Sequence, residues 1–237
     1  MKIARYREHS VIRLGIVEGD RVIALSGRLR TVSDDMIALI KQWPELVEQV
    51  QALRGESGTP TSEVEFLAPV PRPGKIWGIG LNYATHREEA EKANMELPTR
   101  QSWFVMAQTT VAGPYQPIPL PSVSIALDYE AEMVFIIGKG GRHIAEADAA
   151  DHIFGYCAGN DVSVRDYQFH SSQFCIGKSF DGHAPFGPWI VTPDEIDPAN
   201  LPIRCFVNGE KRQDSNTRNL IFTPAQQIAY LSEAMTL

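Results

Sequence analysis

Residues 127–137 read LDYEAEMVFII, and this stretch carries two candidate acids at the start of an apolar run. Acidic residues that alternate with others and lead into an apolar run are typical of a β-strand. Because side chains on a strand alternate with a period of two, Glu130 and Glu132 project from one face. Their Cα atoms would lie about 7 Å apart, so their like charges are unfavourable unless a cation or solvent compensates them. A bound divalent ion would meet this condition, and so would a solvated strand end.

Residues 155–168, GYCAGNDVSVRDYQ, form the second informative stretch. A short strand is expected to break at the Gly-Asn pair and to lead into a segment that can form a helix. If that segment is helical, Asp161, Arg165 and Gln168 project from one face, at offsets of four and seven. The acid could then complete an all-oxygen metal site with the two glutamates, while the other two side chains could bind a carboxylate. An ordinary Asp–Arg surface pair with an exposed Gln is the alternative.

Two further stretches carry reactive groups. Residues 177–189, GKSFDGHAPFGPW, form a glycine- and proline-rich loop with Lys178 and His183, and such loops hold reactive groups on a rigid scaffold. We interpret His183 as a hydrogen-bonding loop residue. Earlier in the chain, His86 and Glu89 lie three residues apart at the start of a predicted helix, a spacing that suits an acid–base pair. A solvated, highly charged helix start is the alternative there.

Composition limits the class of protein. The 237 residues include 29 acidic and 22 basic side chains, and the resulting net charge of −7 argues against nucleic acid as a partner. With 43% hydrophobic residues, the chain can bury a sizeable core. Its 3 cysteines match neither a disulfide framework nor zinc-ligand spacing, and no stretch has the apolar length of a signal peptide or a membrane span. We therefore expect a cytoplasmic protein without a membrane partner.

Two regions are expected along the chain, a small N-terminal α/β unit over 1–66 and a β-rich domain over 67–237. In the first region, two strands flank a Glu-Gly-Asp turn, and a helix capped by Ser33-Asp34-Asp35 continues until Pro44 interrupts it. A connection rich in Gly, Ser, Thr and Pro follows. In the second region, Asn208-Gly209 is a strong hairpin signal. Strands are predicted there over 75–81, 125–137, 155–158, 189–192 and 203–207.

Five motifs occur together and in order: GLNYxxHxxE at 80–89, LDYEAEMVFIIGK at 127–139, GYxxGNDVSxRDxQ at 155–168, GKSFDGHxPFGPW at 177–189 and VNGExRQxSNT at 207–217. In this combination the chain resembles the fumarylacetoacetate hydrolase family from residue 75 to residue 235. The resemblance implies an α+β, β-rich fold, with a mixed β-roll or sandwich catalytic domain after a small N-terminal unit. The motifs are specific for the family and not for one substrate.

The resemblance implies a metal-dependent enzyme. The family's metal-binding carboxylates correspond to Glu130, Glu132 and Asp161, and its ion is usually Mg²⁺, with Mn²⁺ or Ca²⁺ as substitutes. Its substrates are 2-oxo or 1,3-dicarbonyl acids. The implied reaction is hydrolysis of a C–C bond in a 2,4-dioxo, acylpyruvate-like acid, through an enolate held on the metal. Isomerisation or decarboxylation of related 2-oxo and 2-hydroxy-dienoic acids is the implied alternative.

The same resemblance assigns roles to five more residues. The family's substrate-binding residues correspond to Arg165, Gln168 and Lys178, and the lysine is also catalytic. Its acid–base pair, which activates water, corresponds to His86 and Glu89. A homodimer is likewise implied.

Two features depart from the family pattern. Met106 stands where the family usually has a lysine, which removes a positive charge near the expected substrate pocket and can shift substrate preference. The sequence also stops at Leu237, before a family segment with a Pro-Gly-Asp turn and a Thr-Gly-Thr-Pro motif, so an open sheet edge is expected. These departures favour a second hypothesis, a truncated, non-catalytic metal-binding remnant. The retention of every candidate metal and substrate residue argues against it.

Overall fold

The computed structural model describes residues 1–29, 32–84 and 99–237. Within this part of the chain, no helix has the length and apolar character needed to cross a membrane. The helices are α1 (Met36–Lys41), α2 (Trp43–Ala52), α3 (Arg165–Gln168) and α4 (Pro224–Ala234). The strands are β1 (Lys2–Glu8), β2 (Val11–Glu18), β3 (Arg21–Ala24), β4 (Thr59–Pro60), β5 (Glu65–Phe66), β6 (Trp77–Gly80), β7 (Ser102–Val105), β8 (Val111–Ala112), β9 (Leu127–Asp128), β10 (Ala131–Ile137), β11 (Ile153–Asn160), β12 (Ser163–Val164), β13 (Ala184–Val191), β14 (Pro202–Val207) and β15 (Glu210–Asn216).

One large sheet organises these elements. Its strands follow the order β10-β11-β13-β1-β2-β3-β4, and β5 and β8 join it beside β1 and β13. The pairings along the main order are antiparallel. The N-terminal strand β1 lies between β13 and β2, so the residues of the expected N-terminal unit share one sheet with the β-rich region.

The main core lies between this sheet and helices α1 and α2. Asp35 caps α1 as predicted, because its carboxylate accepts hydrogen bonds from two backbone N–H groups of the first turn. Pro44 lies in the first turn of α2, where proline is tolerated. Trp43 of α2 meets Phe154 of β11 edge to face, with the ring centroids 5.2 Å apart. The helices and the sheet thus bury one apolar cluster, which includes Ile3, Leu14, Ile23, Met36, Leu39 and Ile190.

Most predicted strands are present, with shifted ends. The segments 75–81, 155–158, 189–192 and 203–207 overlap β6, β11, β13 and β14. The strand predicted over 125–137 is interrupted at Tyr129 and Glu130, so it forms β9 and then β10. Asn208 and Gly209 join β14 to β15 with φ angles of 52° and 81°, the left-handed pair that a tight hairpin turn requires.

Gly155 on β11 packs closely against β13. A Cβ atom there would lie 2.5 Å from the Val191 carbonyl oxygen and 2.6 Å from Ile190 Cγ2. We expect Gly155→Ala to lower the free energy of unfolding in urea by about 1–3 kcal/mol, because overpacking forces the two strands apart. Gly74→Ala is the matched control, since nothing lies within 4 Å of the corresponding Cβ position. Equal stabilities of the two variants would contradict the close β11–β13 contact.

Candidate active site

The pairing of β10 with β11 brings the predicted acids together. In its register, Glu132 lies opposite Gly159. The ladder continues beyond β10, because the Asp161 N–H donates to the Glu130 carbonyl oxygen at 2.9 Å. Cross-strand neighbours share a face of the sheet, so the three acids project to one side. Gly159 adds no side chain between them, and a Cβ there would lie 2.6 Å from Val134 Cγ2.

Lys178 places its ammonium between two of these acids. Its side chain is only 2% exposed, and Nζ lies 2.6 Å from Glu130 Oε2 and 2.9 Å from Asp161 Oδ2. The loop reaches this position because the preceding residue is a glycine. A Cβ at Gly177 would lie 2.3 Å from the backbone nitrogen of Gln168. The missing side chain therefore lets the lysine loop approach α3 closely.

Arg165 makes the second cationic contact. Its Nη1 lies 2.7 Å from Glu130 Oε1 and 2.9 Å from Gln168 Oε1, and its Nη2 lies 2.7 Å from Asp128 Oδ2. Helix α3 begins at this arginine, so the expectation that Asp161 shares a helix face with Arg165 and Gln168 is wrong. The connection after β11 and a short helix supply the three side chains instead. Sequence reasoning missed Asp128, although its alternation with Glu130 could have indicated it.

The cluster carries more negative than positive charge. Its two cations and four carboxylates leave a formal charge of 2 − 4 = −2: Arg165, Lys178, Asp128, Glu130, Glu132 and Asp161. Burial raises the pKa of Glu132 to about 8, and the neighbouring Glu130 and Asp161 carboxylates act in the same direction. Burial also raises the pKa of Asp161, whose Oδ1 is buried without a hydrogen-bond partner among the described residues. The two cations therefore leave part of the negative charge of the cluster uncompensated.

A hard divalent ion suits this donor set. Carboxylate oxygens are the ligands that Mg²⁺ and Ca²⁺ prefer, and one such ion would offset the formal deficit. Across residues 1–29, 32–84 and 99–237, however, no group of three His, Cys, Asp or Glu side chains is arranged to hold a metal. The Lys178 ammonium contacts two of the candidate ligands, Glu130 and Asp161. The carboxylates fit a divalent ion in chemistry and charge. Two of these candidate ligands of the ion contact the lysine in this structure.

A cavity of about 500 Å³ opens beside the acids. Glu132 and Asp161 are among its lining residues, and most of the others are apolar, including Trp77, Met133 and Ile228. A large apolar cavity with a few converging polar groups is the usual form of a small-molecule site. The cluster is therefore accessible to a small ligand that is both charged and partly apolar.

Two family descriptions match the chain. "Fumarylacetoacetate (FAA) hydrolase C-terminal" matches residues 75–237, and "Rv2993c-like, N-terminal" matches residues 1–69. The chain belongs to the fumarylacetoacetate hydrolase family. The resemblance drawn from the five motifs is confirmed, and so is the β-rich α+β fold class.

Named relatives in the fumarylacetoacetate hydrolase family include tautomerases. The rat protein called oxaloacetate tautomerase Fahd2a, mitochondrial, is 43% identical over 180 residues, which cover 75% of this chain and 56% of the rat protein. The Bos taurus protein called oxaloacetate tautomerase FAHD2A, mitochondrial, is 38% identical over 224 residues, with coverage of 92% and 70%. The chain thus spans little more than half the length of the rat relative.

Solved structures share the fold over the whole chain. Maleylpyruvate hydrolase from Sphingobium sp. SYK-6, in complex with manganese(II) ion and pyruvate, has a TM-score of 0.84 and 32% identity, and the match covers 100% of this chain and 84% of that chain. The 2-hydroxyhepta-2,4-diene-1,7-dioate isomerase from Mycobacterium marinum has a TM-score of 0.77 and 28% identity, with coverage of 100% and 83%. The family therefore includes hydrolases and isomerases of small acids.

The structure tests some of the remaining predicted residues and not others. His86 and Glu89 lie outside the described residues, so their pairing stays a prediction. His183 is buried, and its Nε2 lies 2.9 Å from the Pro119 carbonyl oxygen, which agrees with a hydrogen-bonding loop residue. Met106 is buried and lines the cavity, where it presents a thioether in place of an ammonium.

Removing the negative charge of Glu132 should stabilise the ion-free protein. Its pKa is raised from 4.5 to about 8 on folding, so the folded state binds more protons than the unfolded state and stability falls as pH rises through that interval. We expect Glu132→Gln, measured by calorimetry in EDTA at the upper end of that interval, to unfold at a higher temperature, by about 2–4 °C for each 1 kcal/mol relieved. The variant should also lose part of this pH dependence.

Glu130→Gln is the matched control. It removes the same charge, but it also removes a partner of both Arg165 and Lys178, so it is expected to lower the unfolding temperature. The electrostatic account of the site is contradicted if Glu132→Gln destabilises the protein as much as Glu130→Gln does.

Proposed function

We propose that this chain hydrolyses a C–C bond in a 2,4-dioxo, acylpyruvate-like acid with the help of a divalent ion, Mg²⁺ in the first instance. The observation that carries the proposal is the half-buried carboxylate cluster with its formal charge of −2, together with the Oδ1 of Asp161, which has no hydrogen-bond partner among the described residues. A divalent ion compensates such a cluster, and a 2-oxo acid offers it further oxygen ligands. Family membership and the manganese(II) and pyruvate in the maleylpyruvate hydrolase structure support the same reading.

Glu130, Glu132 and Asp161 would hold the ion. When bound, it would supply a Lewis acid that absorbs the negative charge developing on the oxygens of the substrate. Mn²⁺ and Ca²⁺ would replace Mg²⁺, because all three are hard ions that accept oxygen ligands. Glu132 lies on β10, and Glu130 and Asp161 directly flank the β10–β11 pairing, so this pairing would set the ligand geometry.

Arg165 and Gln168 would bind and orient the carboxylate end of the substrate. The guanidinium forms a planar fork that matches a carboxylate, and 35% of this side chain is exposed, so a ligand can reach it. Gln168 accepts from Arg165 through Oε1, which leaves its amide nitrogen as the donating end. A carboxylate placed there would fix the direction in which the rest of the substrate enters the cavity.

Lys178 would stabilise negative charge on the reacting carbonyl oxygen. Its ammonium is buried and already aimed by two carboxylates, so it needs little reorganisation when charge develops. His86, oriented by Glu89, would deprotonate the attacking water and later return the proton. Hydroxide would attack the distal carbonyl, and the C–C bond would break to release a carboxylic acid and the enol form of a 2-oxo acid.

Tautomerisation of oxaloacetate is the second candidate function. It is favoured by the names of the rat and Bos taurus relatives, which are 43% and 38% identical to this chain. The reaction needs enolate stabilisation and proton transfer without bond cleavage, so the same side chains could serve it. Isomerisation or decarboxylation of related acids would also use them. A homodimer in the cytoplasm completes the proposal, as the family resemblance and the composition imply.

An assay panel separates these functions. We expect acylpyruvates to be cleaved in the presence of Mg²⁺, and chelation with EDTA to abolish the product. Glu132→Ala should lower turnover by about 100-fold or more, because it removes one ion ligand, while Glu63→Ala, on the exposed surface, should leave it unchanged. Product formation is followed by loss of dioxo-acid absorbance.

The other outcomes are equally informative. Metal-dependent interconversion of enol and keto oxaloacetate, without cleavage of any acylpyruvate, favours the tautomerase. If no substrate gives a metal-dependent product, the enzymatic proposal fails and a non-catalytic, metal-binding role is favoured.

A further inference from the structure

An aromatic side chain lies next to the buried lysine. Strands β6 and β7 pair antiparallel, and their register places Gly78 directly opposite Phe104. A Cβ atom at Gly78 would lie 2.2 Å from Cζ and 2.4 Å from Cε2 of the phenylalanine ring. The ring therefore occupies the space that any other residue at position 78 would fill. A glycine inside a strand often marks such a close approach.

The Phe104 ring and the Lys178 ammonium are in contact. Nζ lies 5.0 Å from the ring centroid, within the range of a cation–π interaction. Both side chains are buried, with 7% of Phe104 and 2% of Lys178 exposed, so water screens the contact little. The ammonium thus meets one aromatic ring and two carboxylates, Glu130 and Asp161.

We propose that Phe104, seated over Gly78, is a positioning residue that holds the Lys178 ammonium between Glu130 and Asp161. The inference deepens the proposed function and rests on it for the role of the lysine. Phe104 acts through its contact with the lysine. Because Lys178 engages two candidate ion ligands, the ring also controls how readily those carboxylates become available to a divalent ion.

The geometry gives the direction of the effect. Loss of the aromatic ring weakens the hold on the ammonium, so the lysine leaves the two carboxylates more easily and an ion binds them more tightly. Loss of the ammonium itself removes the competing cation altogether. The effects of the two substitutions on the affinity for the ion should not be additive, because the ring acts on ion binding only through the lysine.

Titration calorimetry with Mn²⁺ tests this coupling. We expect Lys178→Met to tighten Mn²⁺ binding at least tenfold, and Phe104→Leu to tighten it about 2- to 30-fold, the range of a cation–π contact. In the Lys178→Met background, Phe104→Leu should have no further effect. Phe104→Tyr retains an aromatic ring and is expected to bind Mn²⁺ like the wild-type protein.

Phe174→Leu is the matched control. Its ring packs against that of Phe104 at a centroid distance of 6.3 Å, so the same substitution is made in the aromatic neighbour of Phe104. It should leave the Mn²⁺ affinity unchanged. Gly78→Ala should act in the same direction as Phe104→Leu, because the added methyl group displaces the ring, whereas Gly74→Ala, in open space, should not.

The Mn²⁺ titrations overturn the proposal if Phe104→Leu keeps its effect in the Lys178→Met background, or if Phe174→Leu produces the same change. Urea unfolding of the wild-type protein, Phe104→Leu, Lys178→Met and the double variant gives an independent coupling free energy between Phe104 and Lys178. A coupling free energy of zero also overturns the proposal. Absence of acylpyruvate turnover in the wild-type protein contradicts the proposed function, yet the Mn²⁺ cycle still decides the role of Phe104. If no variant binds Mn²⁺, the metal site is contradicted, and the unfolding cycle alone decides.

Discussion

The arrangement of the site depends on one buried contact, that of the Lys178 ammonium with the Glu130 and Asp161 carboxylates. A charge removed from water costs several kcal/mol, about the same order as the whole stability of a domain, unless partners surround it. The two acids lie opposite each other one step beyond the β10–β11 ladder, where the Asp161 N–H donates to the Glu130 carbonyl oxygen, and Gly177 lets the lysine loop reach them. The paired strands, the lysine loop and helix α3 therefore all place charged groups that compensate one another.

The same contact leaves a surplus of negative charge. Two cations face four carboxylates, and Glu132 has the strongly raised pKa of about 8 that uncompensated burial produces. Such a cluster destabilises the ion-free fold, and functional sites commonly retain strain of this kind because ligand binding relieves it. A divalent ion at the cluster would relieve the charge, and the apolar cavity beside it would accept the rest of an organic acid.

Sequence reasoning predicted the composition of the site better than its contacts. The Glu-x-Glu alternation and the family motifs pointed to the acids, the lysine and the arginine, because each pattern is local. The partner of Arg165 at Asp128 and the ring of Phe104 over Gly78 depend on pairing between distant strands, which no local pattern specifies. The helical spacing drawn from Asp161 failed because a strand, and not a helix, leads up to that residue.

In the fold as well, features set by local sequence were predicted and features set by distant contacts were not. The hairpin at Asn208 and Gly209 and the cap at Asp35 were predicted correctly, since both follow from backbone chemistry at a few positions. Strand β1 was not predicted, because its charged residues obscure an extended segment whose Ile3 and Tyr6 side chains are fully buried in two different core clusters. Its position beside β13 is a tertiary property of the whole sheet.

Anomalous diffraction from crystals loaded with Mn²⁺ tests the central claim most directly. The account predicts one strong peak within about 2.0–2.6 Å of carboxylate oxygens from Glu130, Glu132 and Asp161, the range of hard-ion coordination. A peak bound elsewhere, or a cluster in which these carboxylates remain without an ion at saturating Mn²⁺, would contradict it.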